Sequence, residues 1–364
     1  MTTTTIAAAK DFDQEALKTL SVRTGPCVTL VLPDHHPGAP EGARRTILRG
    51  LLKSVPEQLR SKQPALLEPL DEMSDNRALD TGGQGLAIFC APDFIACYRV
   101  SSKAEQLSIG NHFLLAPFIV DALLPAELIV LGLSTKHLRL FQCSRYECKE
   151  LALPEGVPPS LEAAGQFDRG ERALENRSTA GSFTGDMRRV RFGTATDRDT
   201  SGAYLHDFFE MVHRGLKPLL TGGPLVLMGV REEIAAYQRI AGNGTQVLAG
   251  EPGNIEFLSL TEIGARARQT ARAAYFERGE QVLAELREMP NRRHVATDAR
   301  EVLRAATQGR VHRLCVRAET EFNTDGEDLV NAAIAETLRT SGEVFVLPQD
   351  RLPAQEPLAA ILRY

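Results

Sequence analysis

Short apolar runs alternate with stretches of helical periodicity along most of this 364-residue chain. The run Cys27-Val28-Thr29-Leu30-Val31-Leu32 has the length and branched-residue content of a strand and stops at Pro33. A Gly/Pro/His loop from Asp34 to Gly42 follows. Apolar residues at Ile47, Leu48, Leu51, Leu52 and Val55 then predict an amphipathic helix from Ala43 to Leu59, which Pro56 ends or kinks. Arg45, Arg49 and Lys53 recur every four residues and so share the opposite face. Leu86–Cys90 and Phe94–Tyr98 predict a hairpin around Ala91-Pro92-Asp93.

The pattern changes near residue 121. Glu127–Leu133, Leu138–Phe141 and Tyr146–Leu151 read as a three-stranded meander. They are followed by a helix (Leu205–Leu220), a buried strand (Pro224–Val230) and another helix (Arg231–Ile240). A long helical run from Thr261 to Met289 ends at Pro290. Next comes a helix from Asp298 to Thr307 closed by Gly309, then a strand, Val311–Val316. A helix from Asp328 to Arg339, stopped by Gly342, leads to the strand Glu343–Leu347. A short buried strand within Leu358-Ala359-Ala360-Ile361-Leu362-Arg363-Tyr364 then completes an α/β sheet.

These breaks divide the chain into three blocks, 1–120, 121–250 and 251–364, in keeping with the usual size of domains. Between the meander and the next helix lies a segment from Pro154 to Gly202, too long for an ordinary connection. Its core, residues 176–193, carries Arg177, Arg188, Arg189 and Arg191 against the single Asp186, with Phe183 and Phe192 interleaved. Arginine supplies phosphate contacts and phenylalanine can stack on an exposed base, so these six residues are candidate RNA contacts. Arg45, Arg49 and Lys53 form a second candidate patch.

Composition sets limits on this picture. Apolar residues make up 43% and charged residues 24%, the proportions of a globular protein. No stretch approaches the length of a membrane span, and Met1–Lys10 lacks the charged and apolar regions of a signal peptide; a cytoplasmic protein without a membrane partner is expected. The net charge of −5 argues against general coating of nucleic acid, so RNA binding would have to use local basic patches on an acidic body. The six cysteines form no Cys-x-x-Cys pair and no zinc spacing. Cys27, Cys90, Cys97 and Cys315 sit in apolar runs as reduced core residues. Cys143 and Cys148 flank the turn Ser144-Arg145-Tyr146 and could face each other across a hairpin.

The strand at 28–33 with its basic helix and Gly85-Leu86-Ala87-Ile88-Phe89, the meander followed by helix, strand and helix, and the Leu358–Tyr364 ending together resemble the release factor/Pelota superfamily. Specifically, the chain resembles its bacterial archaeo-eukaryotic release factor-like branch, the wider group of Balon-like ribosome hibernation factors. The resemblance implies an α/β fold of three domains, with an RNase H-like middle domain and an α/β sandwich C-terminal domain. It also implies binding to the ribosome (rRNA) in the A site, with a translational GTPase such as elongation factor Tu as further partner and steric action in hibernation or rescue. The alternatives are a peptidyl-tRNA hydrolase or peptide release factor, and an RNA-binding or scaffold protein that does not act on the ribosome.

Gly82-Gly83-Gln84 repeats the tripeptide by which release factors of this superfamily hydrolyse peptidyl-tRNA. There the motif lies in a middle-domain loop leading into a helix. Here it lies in the first block and leads straight into a strand, which is ordinary turn chemistry. No catalytic residue is therefore assigned, and no cofactor or metal ligand. The middle strands offer Glu127 at one edge but no interior carboxylates for the two metals of an RNase H-type nuclease. His35-His36 and the pair His206 and His213 lack partners at metal-ligand spacing. Gly222-Gly223-Pro224 is no phosphate loop, and no Gly-x-Ser-x-Gly elbow occurs.

Overall fold

The computed structural model describes residues 9–34, 40–80, 83–102, 104–165, 197–220, 223–242, 245–250, 252–289, 294–318, 329–352 and 356–364. His35, His36, Gly82, Gly222, Pro290 and the basic run 176–193 fall outside these residues. The chain divides into two compact units, one made of 1–124 with 275–364 and the other of 125–274. The division falls within one long helix, Leu260–Glu288.

The first unit holds two sheets. One has the order β1-β4-β3-β2-β5, from β1 (Lys10–Asp11), β2 (Cys27–Leu32), β3 (Gly85–Ala91), β4 (Phe94–Val100) and β5 (Gln106–Gly110). β2, β3, β4 and β5 pair antiparallel, and β1 runs parallel to β4. β2 and β3 are buried along their whole length, which explains their near-continuous apolar sequences. One face packs the helices Ala43–Lys53 and Pro64–Met73 through Leu48, Leu52, Leu66 and Leu70. The helix expected to reach Leu59 stops at Lys53 with Ser54 as its cap, and a separate helix, Glu57–Lys62, starts after Pro56. Proline lacks the N–H that a continuous helix would need there, so the break falls on it.

The other sheet of this unit has the order β11-β14-β12-β13, from β11 (Val295–Ala296), β12 (Val311–Arg317), β13 (Glu343–Leu347) and β14 (Leu358–Leu362). The last strand is fully buried and runs antiparallel between β11 and β12 rather than at an edge. Asp298 caps the helix Ala299–Thr307, accepting from the backbone N–H groups of Arg300 and Glu301 (3.0 Å each), and Gly309, at φ +71°, closes it. The helix Leu329–Arg339 brings buried Asn331 to the chain that follows the first sheet. Its Nδ2 donates to the Phe113 carbonyl (2.8 Å) and its Oδ1 accepts from the Leu115 N–H (3.0 Å).

β13 pairs with β12 on one side only. On its other side the Tyr275 hydroxyl accepts from the Val346 N–H (3.0 Å) and donates to the Val344 carbonyl (3.4 Å), standing in for a neighbouring strand. Tyr275→Phe leaves both backbone groups without that partner. It should lower the unfolding free energy by about 1–2 kcal/mol, read as a shift of the denaturant midpoint at constant slope. An unchanged midpoint would mean that water replaces the hydroxyl at no cost.

The second unit holds the sheet β10-β9-β6-β7-β8, from β6 (Glu127–Gly132), β7 (Arg139–Ser144), β8 (Cys148–Leu151), β9 (Leu225–Met228) and β10 (Val247–Ala249). The expected meander is β6-β7-β8, and β9 and β10 extend it in parallel with β6. The helices Asp197–Leu216 and Arg231–Ala241 cover one face through Phe208, Phe209, Val212, Ile234 and Tyr237. The long connection expected from 154 to 202 is narrower than its sequence suggests. Val157 and Ala164 are core residues, Leu138 and Leu161 bond across it to Pro159 and Thr135, and the next helix already begins at Asp197. No helix among the described residues is long and apolar enough to cross a membrane.

Candidate nucleic-acid interface

The Ala43–Lys53 helix has its apolar stripe on β2 and β3, which leaves the polar stripe outward. Arg49 and Lys53 are exposed and Arg45 is half-buried. Arg49 pairs with Asp75 (2.6 Å) and nearby Arg60 with Asp71 (2.6 Å), while Arg60 also donates to the Leu52 carbonyl (2.8 Å). A groove of about 380 Å³ runs between Arg49, Lys53, Arg60 and Asp71. Asp75 is 80% exposed and Arg49 48%, so their pair contributes little stability. Asp71 and Asp75 offset the positive charge of this patch. Arg177, Phe183, Arg188, Arg189, Arg191 and Phe192 lie outside the described residues.

Arg44 stands one position before the expected basic face, and sequence reasoning misses its role. It is 1% exposed. It precedes Ile47 and Leu48 by three and four residues and therefore lies on the apolar stripe, a signal present in the sequence. Its Nε donates to the Pro33 carbonyl (3.3 Å), Nη1 to Leu79 (3.0 Å) and Nη2 to Gln84. The corner is closed by Asp34, whose Oδ1 accepts from the N–H groups of Gly85 (2.7 Å) and Ser102 (3.3 Å). A side chain at Gly85 would put its Cβ 2.8 Å from the Leu32 carbonyl oxygen. The described part of the Gly-Gly-Gln stretch is thus a backbone corner opening β3.

A second concavity, about 470 Å³, lies in the other unit between His137, Arg139, Phe257 and Glu262. Its charged groups serve one another. Arg139 is bidentate to Glu150 (2.8 Å for both bonds), its guanidinium lies 4.8 Å over the Phe141 ring, and the hydrogen bond to Arg139 holds the Glu150 carboxyl below its ordinary range. Glu262 accepts from the N–H and hydroxyl of Ser259, a capping box for the long helix. Glu127 accepts from Gln142 (2.5 Å). His206 lies 3.3 Å from Glu210 on the surface. Half-buried His213 meets the hydroxyl of buried Tyr237 (3.2 Å), and desolvation lowers the pKa of the imidazole. Among the described residues no three metal-binding side chains converge.

The described residues form an α/β chain of three sheets, one of them an antiparallel meander extended by parallel strands. Residues 128–310, half of the chain, match the profile of Bacterial archaeo-eukaryotic release factor family 3, and the chain belongs to that family. No curated protein matches it. Among solved structures it is similar to the archaeal translation termination factor aRF1, with 16% identity over 97% of this chain and 98% of that one and a TM-score of 0.24. Archaeoglobus fulgidus Pelota gives 12% identity, 98% and 93% coverage and a TM-score of 0.37. S. cerevisiae Dom34, a translation termination-like factor, gives 10%, 98% and 94%, and 0.37.

Proposed function

We propose that this protein is a ribosome-binding translation factor that occupies the A site and acts sterically, in hibernation or rescue, by excluding tRNA. Membership in a release-factor family is the observation that carries this reading. In it the three regions 1–120, 121–250 and 251–364 carry distinct contacts, with 1–124 and 275–364 sharing one compact unit. The first faces the decoding centre, the 154–202 segment points toward the peptidyl-transferase centre, and the last meets a translational GTPase such as elongation factor Tu. Arg177, Phe183, Arg188, Arg189, Arg191 and Phe192 contact RNA from the middle segment, and Arg45, Arg49 and Lys53 from the first region. The binding of the Gln84 carbonyl by buried Arg44 favours a steric role over hydrolysis, because it makes that residue part of a strand corner.

Purified protein should pellet with vacant 70S ribosomes at low salt. Release should be steep as salt rises, because each phosphate that the protein frees takes condensed counterions back from solution. Failure to pellet at low salt would remove the proposal.

A further inference from the structure

Cys143 and Cys148 stand directly opposite each other at the tip of the β7–β8 hairpin, with their Cα atoms 3.9 Å apart and their sulfurs bonded. Three further pairs of the ladder, Gln142 with Lys149, Phe141 with Glu150 and Leu140 with Leu151, continue the register behind them. At the turn the Ser144 N–H donates to the Glu147 carbonyl (2.7 Å), and Arg139 on β7 is bidentate to Glu150 on β8. Strand pairing, turn and ion pair therefore hold the two sulfurs face to face independently of the bond between them. Breaking and remaking the bond then needs no unfolding.

The two sulfurs differ in access. Cys143 is 1% exposed, whereas Cys148 is half-buried and offers the way in. The other four cysteines are free thiols. Burial pushes Cys27 up to about 11 and Cys90, Cys97 and Cys315 up to about 12, and none of the four is bonded to a second sulfur as Cys143 and Cys148 are.

We propose that Cys143 and Cys148 are a reversible oxidation site that exchanges with a low-molecular-weight thiol–disulfide couple of the glutathione type. Starting from the dithiol, the Cys148 thiolate attacks one sulfur of the small disulfide, forms a mixed disulfide and releases one small thiolate. The Cys143 thiolate then attacks the Cys148 sulfur, closes the intramolecular bond and releases the second small thiolate. Two electrons pass from the protein to the small disulfide, and the two protons leave with the released thiols. The hairpin tip touches the long helix beside the bond. Arg268 donates to the Ser144 carbonyl (3.2 Å), and a Cβ at Gly264 would lie 3.2 Å from that of Cys148.

The test equilibrates the full chain with oxidised and reduced glutathione at a series of ratios, quenches with acid, alkylates and maps peptides by mass spectrometry. Cys143 and Cys148 should pass together from doubly alkylated to linked as the ratio becomes oxidising. Cys27, Cys90, Cys97 and Cys315 should remain unmodified by glutathione throughout. The reduced protein should keep a cooperative thermal transition and close the bond at a rate independent of protein concentration. In Cys143→Ser, Cys148 should stop at the mixed disulfide with glutathione. A pair that stays alkylated at every ratio would overturn the proposal. So would reduction that abolishes the folding transition, which would make the bond a structural staple, or oxidation that yields only links between chains.

Discussion

Arg44→Ala should lower the unfolding free energy by about 3–5 kcal/mol, the sum of three carbonyls losing a hydrogen bond to a charged donor and of the cavity left by the side chain. The guanidinium reaches the carbonyls of Pro33, Leu79 and Gln84, which belong to three separate stretches of chain around the start of β3. Truncation leaves these acceptors in a buried corner and opens a cavity under the helix. Arg44→Lys should recover only part of the loss, since a single ammonium cannot span three acceptors that a planar fork reaches together. Gln84→Ala is the contrasting variant. It keeps the backbone carbonyl that Arg44 uses, so it should change stability by less than about 0.5 kcal/mol and leave ribosome co-sedimentation unchanged. Denaturant midpoints at constant slope check the three variants. A large loss of peptidyl-tRNA hydrolysis in Gln84→Ala would overturn the corner reading and place an active site at Gly83-Gln84.

Replacing Arg188, Arg189 and Arg191 together by Ala should weaken ribosome binding on the order of tenfold or more at low salt. It should also flatten the salt dependence by about 0.7 to 0.9 for each phosphate that is no longer neutralised. The expectation rests on the density of the cluster, three arginines within four residues beside Phe192, in a chain whose net charge is −5. An acidic body is repelled by RNA at long range, so a few concentrated cations must supply most of the attraction. The thermal midpoint is the control: an unchanged value separates weakened RNA binding from a damaged fold. If affinity and salt slope both match the unmodified protein, the binding role passes to the groove beside Arg49 and Lys53. The corresponding Arg49→Ala and Lys53→Ala variants would then carry the salt effect.

Much of the secondary structure is legible from periodicity. Cys27–Leu32 and Glu343–Leu347 are strands with the bounds their apolar runs indicate, and Asp298 caps the helix its position announces. These features are local: a run of branched apolar residues, a cap oxygen and a glycine at a helix end act on backbone within a few residues of themselves. The basic face of the first long helix is legible for the same reason. The burial of Arg44 on the other face of that helix is written in the same periodicity, yet its three acceptors come from residues up to forty positions away along the chain.

The sequence by itself determined the strongly periodic helices and strands, which of their faces are apolar, and the family resemblance of the ordered whole, but not the helix Pro64–Met73 or the short strands β1, β5, β10 and β11. Only the tertiary structure decided what those faces meet. It inserted β14 between β11 and β12 rather than at an edge, gathered residues 1–124 with 275–364 into one unit, and aimed Asn331 at the backbone near Phe113. It likewise placed Tyr275 along the open side of β13 and turned Cys143 and Cys148 from neighbours of a turn into a bonded pair. Hydrophobic burial is non-directional, so a periodic pattern says that a face is covered without saying by what. The partners are chosen by register and by buried polar groups that must find a donor or acceptor, and both are properties of the assembled fold.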